Sequence, residues 1–175
     1  MFSNGIAAPF QNEKVQMRKV VGVADMAISN SPDEILITYS LGSCIAVVIF
    51  DPVVRVGGML HYMLPESSLD LDKAKANPNM FADTGITLLF RQSYQYGAKK
   101  QNMIVKAVGG AQILDPNGLF NIGKRNYLAL RKILWRNNVA VAAEHVGGNL
   151  NRTVRLEMAT GKVFLKVASQ SEIEL

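Results

Sequence analysis

The chain has 175 residues, with 19 Lys and Arg against 14 Asp and Glu for a net charge of +5; 49% of it is hydrophobic and only 19% charged. That composition excludes disordered and fibrous chains and predicts one globule that buries roughly 70% of its unfolded surface. A single cysteine excludes an internal disulfide, and with only two histidines beside it a closed zinc site would need carboxylates to complete its shell, so stability rests on the core.

Residues 1–17 mix Gly, Pro, Asn, Gln and charge without periodicity and are expected to form a flexible arm, with 18–175 as one folded domain. No basic segment followed by a long apolar stretch opens the chain. A secretory signal is therefore not expected, and the cysteine is expected to remain a free thiol in a reducing cytoplasm. Val and Ile enrichment predicts strands over 19–25, 34–38 and 44–50, with a turn at Asn30-Ser31-Pro32-Asp33. The third of these, Cys44 to Phe50, is the longest apolar run at seven residues. Crossing a bilayer takes roughly 18 to 20, so no membrane insertion is expected.

Asp51-Pro52 stops that strand, another resumes over 56–63, and Leu64-Pro65 closes it. The polar stretch 66–79 reads as an exposed loop. Asp83 is a candidate N-cap for a helix that carries Ile86, Leu89, Phe90 and Tyr94 at helical spacing and ends at Gly97. A strand over 102–108 follows, then a helix from Asn121 or Gly123 to about residue 137. Strands over 139–143, 152–158 and 163–168 complete the set, the last two joined at Thr160-Gly161. This order lacks the regular alternation of a doubly wound parallel sheet. It predicts an α+β fold, a layered sandwich of mixed or antiparallel sheet with two main helices packed outside.

Three Val-Gly-Gly triplets, at 56–58, 108–110 and 146–148, are expected to mark bends or close backbone approaches. Neither a dinucleotide-binding G-x-G-x-x-G nor a phosphate loop is present, which leaves nucleotide binding unsupported. The basic residues fall in separate pairs, such as Lys99-Lys100, Lys124-Arg125 and Arg131-Lys132. Such scatter is compatible with docking on an acidic protein and supplies no run that calls for nucleic acid.

Chemistry centres on the only cysteine. Leu41-Gly42-Ser43 places a permissive backbone and a small hydroxyl directly before Cys44, a way to expose a nucleophile at a sharp turn, with amides near Ser43 and Cys44 facing a reacting carbonyl. A catalytic thiol needs a base, and only His61 and His145 are available. If the strands on either side of Asp51–Arg55 form a hairpin, the partner of residue i is about 105 minus i, which sets His61 across from Cys44. His145, just before a Gly pair, is the lesser choice. Thr38 is six residues before Cys44 and either orients the far ring nitrogen of His61 or simply fills a strand.

Thr38, Leu41-Gly42-Ser43-Cys44, Asp51-Pro52, Gly57-Gly58 with His61, and Leu64-Pro65 resemble the signature of the chemoreceptor glutamine deamidase family, CheD. The resemblance runs on through Ala82-Asp83-Thr84, Lys106 to Ala111, Asn121-Ile122-Gly123 with Asn126, Gly147-Gly148-Asn149 and Thr160 to Val163. His145 and Asn151-Arg152-Thr153 depart from the family pattern. What the resemblance implies is Cys44 as nucleophile, His61 as base and Thr38 as its support, with Gly42 and Ser43 shaping the oxyanion site and no metal or cofactor. The implied reaction is hydrolysis of glutamine side-chain amides, and of glutamyl methyl esters, on the helical cytoplasmic region of bacterial chemoreceptors. A sandwich like that of deamidating toxins of the cytotoxic necrotizing factor type is implied too, as is a CheC-type phosphatase partner. The alternative is a weakly catalytic or non-catalytic module that regulates such a phosphatase.

Overall fold

Every residue of Ile45–Asp51 (β4) is buried, because its two faces serve two different cores. Ile45, Val47 and Ile49 share one cluster with Ile86, Leu89, Leu130 and Leu134. Ala46, Val48 and Phe50 share another with Leu36, Leu156 and Leu165. A strand covered on both sides reads as a continuous apolar run rather than an alternating one, which is why 44–50 stands out in the sequence. The computed structural model describes residues 16–113 and 120–175.

β4 is central in a sheet ordered β2 (Asp25–Ser29), β5 (Val56–Tyr62), β4, β6 (Ile104–Gly109), β7 (Ala143–Val146). The facing sheet is ordered β1 (Met17–Val20), β3 (Glu34–Leu41), β8 (Arg152–Glu157), β9 (Val163–Val167), β10 (Ile173–Glu174). Among the described strands only β6 with β7 and β1 with β3 pair in parallel. The helices Ala82–Gln95 (α2) and Ile122–Arg136 (α3) cover the outer face of the β4 sheet, while the short helix Leu71–Ala76 (α1) lies in the connection before α2. The expected mixed-sheet α+β sandwich with two main helices outside is therefore present, as sheet on sheet on helices. Bare backbone at Gly58 lets α2 approach: a Cβ there would stand 2.6 Å from Ile28 Cδ1 and 3.0 Å from Leu89 Cδ1.

Several boundaries differ from expectation. The expected arm, 1–17, lies outside the described residues as far as residue 15, and Met17 already opens β1. The strand expected over 19–25 is two strands in different sheets, because the chain turns at Ala24 with φ 56° and leaves the β1 sheet for the β4 sheet. The loop expected over 66–79 contains α1, capped by Asp70, whose carboxylate accepts from Lys73 N. Asp83 is not the N-cap of α2, which is Phe81; its carboxylate instead accepts from Ser67 N at 2.9 Å and Ser67 Oγ at 2.7 Å and ties the preceding turn to the helix. The strand expected over 139–143 begins only at Ala143.

The β4–β5 hairpin forms with its register moved by two. Ala46, not Cys44, is opposite His61, and Asp51 pairs with Val56. The cause is the turn at 52–55, which Asp51 holds closed by accepting from Val53 N at 2.9 Å. A shift of two keeps every side chain on its expected face, so Cys44 and His61 still look the same way, into the layer between the sheets.

Candidate active site

The chain changes sheets three times at one end of the sandwich, through Val21–Ala24, through Gly42–Cys44 and between β7 and β8, and the candidate residues stand between the first two crossings. β3 carries Thr38 inward and then bulges: Thr38 pairs with Val154 but Leu41 with Arg152, with one extra residue accommodated by Ser40 at φ 54°. The bulge returns Leu41 to the core and sends Gly42-Ser43-Cys44 across to β4. Cys44 is a half-buried free thiol packed against the inter-sheet cluster.

His61 reaches from β5 toward the facing sheet and meets Thr38, both side chains essentially fully buried. Thr38 Oγ1 donates its one hydrogen to Val21 O at 2.7 Å. It also stands 2.8 Å from His61 Nδ1, and having no second hydrogen to give it accepts there. Nδ1 thus carries the ring proton, and Nε2 presents its lone pair. That Nε2 is buried without a hydrogen-bond partner among the described residues, Cys44 Sγ included. Burial holds the His61 imidazole down to about 4 from 6.5 and pushes the Cys44 thiol up. The resting pair is a neutral thiol and a neutral imidazole, with the proton transfer reserved for the encounter with an electrophile.

The carbonyls around the sulfur are all occupied. Gly42 O accepts from Ala111 N at 2.8 Å, Cys44 O from Gly110 N at 2.8 Å and Ser43 O from Asn126 Nδ2 at 2.9 Å. The peptide bonds here are trans, so the N–H of Ser43 and of Cys44, antiparallel to those carbonyls in their peptide planes, are directed away from Ala111 and Asn126. Asn126 Nδ2 also donates to Met63 O at 2.7 Å, and Tyr62 Oη donates to Asn126 O at 2.8 Å. One fully buried amide therefore joins the loop before Cys44 to the end of the strand that carries His61.

His145, the other candidate base, is elsewhere engaged. Its Nδ1 accepts from Arg152 Nε at 2.7 Å, while Arg152 Nη2 donates to Gly147 O at 2.6 Å and Nη1 to Leu150 O at 2.9 Å. Burial and the adjacent guanidinium hold His145 low. The pair braces the turn after β7, whose Gly147 N donates to Gly109 O at 2.9 Å. The structure thus brings together Thr38, Gly42, Ser43, Cys44 and His61, and leaves His145 as a strut. Asn126 as a clamp and the Arg152 brace are not visible from residue spacing; Asn126 lies 83 positions from the carbonyl it holds. Among the described residues no group of three or more His, Cys, Asp or Glu side chains is placed to hold a metal ion.

Comparison with known proteins converges on one family. A family model described as CheD chemotactic sensory transduction matches residues 63–167. The chain is similar to the probable chemoreceptor glutamine deamidase CheD 1 of Syntrophus aciditrophicus, 59% identical over 147 residues that cover 84% of this chain and 92% of the relative. It is 52% identical over 147 residues to the probable chemoreceptor glutamine deamidase CheD of Solibacter usitatus, across 84% of this chain and 87% of that one. It is 38% identical over 160 residues to the chemoreceptor glutamine deamidase CheD of Thermotoga maritima, across 91% and 98%.

Proposed function

Because the chain belongs to the CheD family, we propose that it is a chemoreceptor glutamine deamidase, a hydrolase in which Cys44, His61 and Thr38 convert receptor glutamine side chains to glutamate. The observation that carries this reading is the Thr38 hydroxyl, fixed by Val21 O, which orients His61 so that a buried, unpartnered Nε2 serves the face that Cys44 shares. As Sγ attacks the carboxamide carbon, the thiol proton passes to Nε2 and negative charge gathers on the amide oxygen. The N–H groups of Ser43 and Cys44, turned away from Ala111 and Asn126, are suited to receive it. His61, now imidazolium, gives its proton to the departing nitrogen, and ammonia leaves a glutamyl thioester. Water then attacks the thioester, Nε2 takes its proton, and glutamate departs as the thiol re-forms. The same sequence expels methanol from a glutamyl methyl ester, which we include in the proposed activity. A cytoplasmic setting, a CheC-type phosphatase as partner and a likeness of the sandwich to deamidating toxins complete the reading.

The test is incubation of the purified protein with a chemoreceptor cytoplasmic fragment, read by peptide mass spectrometry. Expected is conversion of specific glutamines to glutamate that requires Cys44. No conversion by the wild type, or undiminished conversion by Cys44→Ala, overturns the reading.

Asn126 supplies a separate expectation. Asn126→Ala removes the donor shared by Ser43 O and Met63 O, and loss of hydrogen bonds to two carbonyls costs about 1–3 kcal/mol. Asn126→Asp keeps the shape but cannot donate. Both variants are expected to lower kcat by about tenfold or more and to melt several degrees below wild type in a thermal scan.

A further inference from the structure

The scattered basic pairs of the sequence meet on α3. This helix carries Lys124, Arg125, Arg131, Lys132 and Arg136 and no carboxylate, an excess of five charges that equals the net +5 of the whole chain. Lys124 and Arg125 stand in its first turn, where the helix macrodipole disfavours cations. Local helix stability therefore does not account for them. The helix buries Gly123, Asn126, Leu130 and Leu134. On the opposite side, where polar residues are the rule, stand Leu128 at 55% exposure and Trp135, the only tryptophan, at 78%. They are seven residues apart, about 10.5 Å along the axis, with Lys124, Arg125 and Lys132 beside them.

A narrow apolar stripe flanked by charges of one sign is half of a helix-pairing seam, and its complement is a second helix with an apolar stripe and carboxylates at its margins. The N-terminal half of α3 reaches the end of the sandwich that holds the active site, where Asn126 donates to Ser43 O and Met63 O. Arg125, Leu128 and Lys132 form one wall of a groove whose other wall is Pro65 and Glu66. That second wall begins two residues after Met63, whose carbonyl Asn126 clamps beside Cys44. A helix that approaches this end of the sandwich thus meets a basic, apolar face on α3.

We propose that this face of α3 docks an acidic helix of the protein substrate, Leu128 and Trp135 packing on its apolar stripe and Lys124, Arg125 and Lys132 pairing with its carboxylates. The inference rests on the deamidase reading and adds how the substrate is held. It makes recognition salt-dependent, since exposed pairs are screened over about 10 Å at 0.1 M salt.

Trp135 is its own reporter. Titration of the wild type with a receptor cytoplasmic fragment is expected to blue-shift tryptophan emission, with Kd weakening several-fold as salt is raised. Leu128→Asp and Lys132→Glu, each on the solvent side of α3, are expected to raise KM for the fragment at least tenfold while kcat and Tm stay at wild-type values. Variants with wild-type KM, beside a wild type that converts glutamine normally, overturn the docking face and leave the deamidase reading standing. A wild type that converts nothing overturns the deamidase reading, and the emission shift on titration still decides docking. An emission shift with anionic phosphatidylglycerol vesicles but none with the fragment also overturns the proposal, in favour of a membrane surface.

Discussion

Cys44→Ala and His61→Ala are each expected to cut deamidation of a receptor fragment by about four orders of magnitude, and the double variant to be scarcely worse than either. Nucleophile and base act as one unit, so removal of the second partner takes away little that the first has left. The fold should tolerate both changes, with circular dichroism unaltered, because Cys44 is only half-buried and His61 makes one side-chain hydrogen bond. Thr38→Val belongs to the same series: Nδ1–H then has no acceptor, and the loss of one orienting bond is expected to cost about tenfold to a hundredfold. His145→Ala should instead leave the pH profile of the enzyme unchanged, since its Nδ1 is held by Arg152.

The same pair fixes the pH dependence. His61 works as a base only when neutral, and burial holds it down to about 4. The acid limb of kcat/KM is thus expected near pH 4, well below the 6.5 of an ordinary imidazole. Stability follows with a definite sign. Between about pH 6.5 and 4 the unfolded chain binds a proton at His61 that the folded chain refuses, so the protein loses stability as pH falls through that window. A kcat/KM profile with its acid limb near 6.5 would place His61 in contact with solvent or a carboxylate and contradict the buried, unpartnered Nε2.

Which parts of this site are readable from the chain depends on whether a feature is local. The face shared by Cys44 and His61 is local to one hairpin, and strand parity preserves it even though the turn at 52–55 moves the register by two. The choice between His61 and His145 is not local: it turns on the Arg152 guanidinium across the sandwich. The change of sheet at Ala24 lies inside a Val-rich stretch that reads as one strand, because nothing nearby announces a positive φ at an alanine. The charge pattern is the mirror case. Lys124-Arg125 and Arg131-Lys132 look dispersed along the chain, and only the 3.6-residue period gathers them on one side of α3. The second Val-Gly-Gly triplet, at 108–110, signals a close approach without naming what approaches; the structure identifies it as the backbone of the nucleophile.

Gly109→Ala is expected to be the most damaging single change outside the reacting groups. Gly109 ends β6 opposite Ile45, the first residue of β4, at φ 123°, a region closed to residues with a Cβ. A Cβ there would stand 2.2 Å from Cys44 O and 3.1 Å from Ile45 Cα, backbone atoms that no rotamer change can move. Relief requires β6 to part from β4, which breaks the Gly110 N to Cys44 O bond and loosens the anchor behind the sulfur. The expected cost is about 4 kcal/mol, which lowers Tm by about 10 °C in a chain of this size, together with loss of activity in the fraction that still folds. Gly97→Ala is the matched control: φ is also positive, at 90°, but nothing lies within 4 Å of its added Cβ. That change should cost only the backbone strain, about 1 kcal/mol, and leave kcat intact. If the two variants melt together and retain equal activity, the packing of Gly109 against Cys44 does not hold the nucleophile in place.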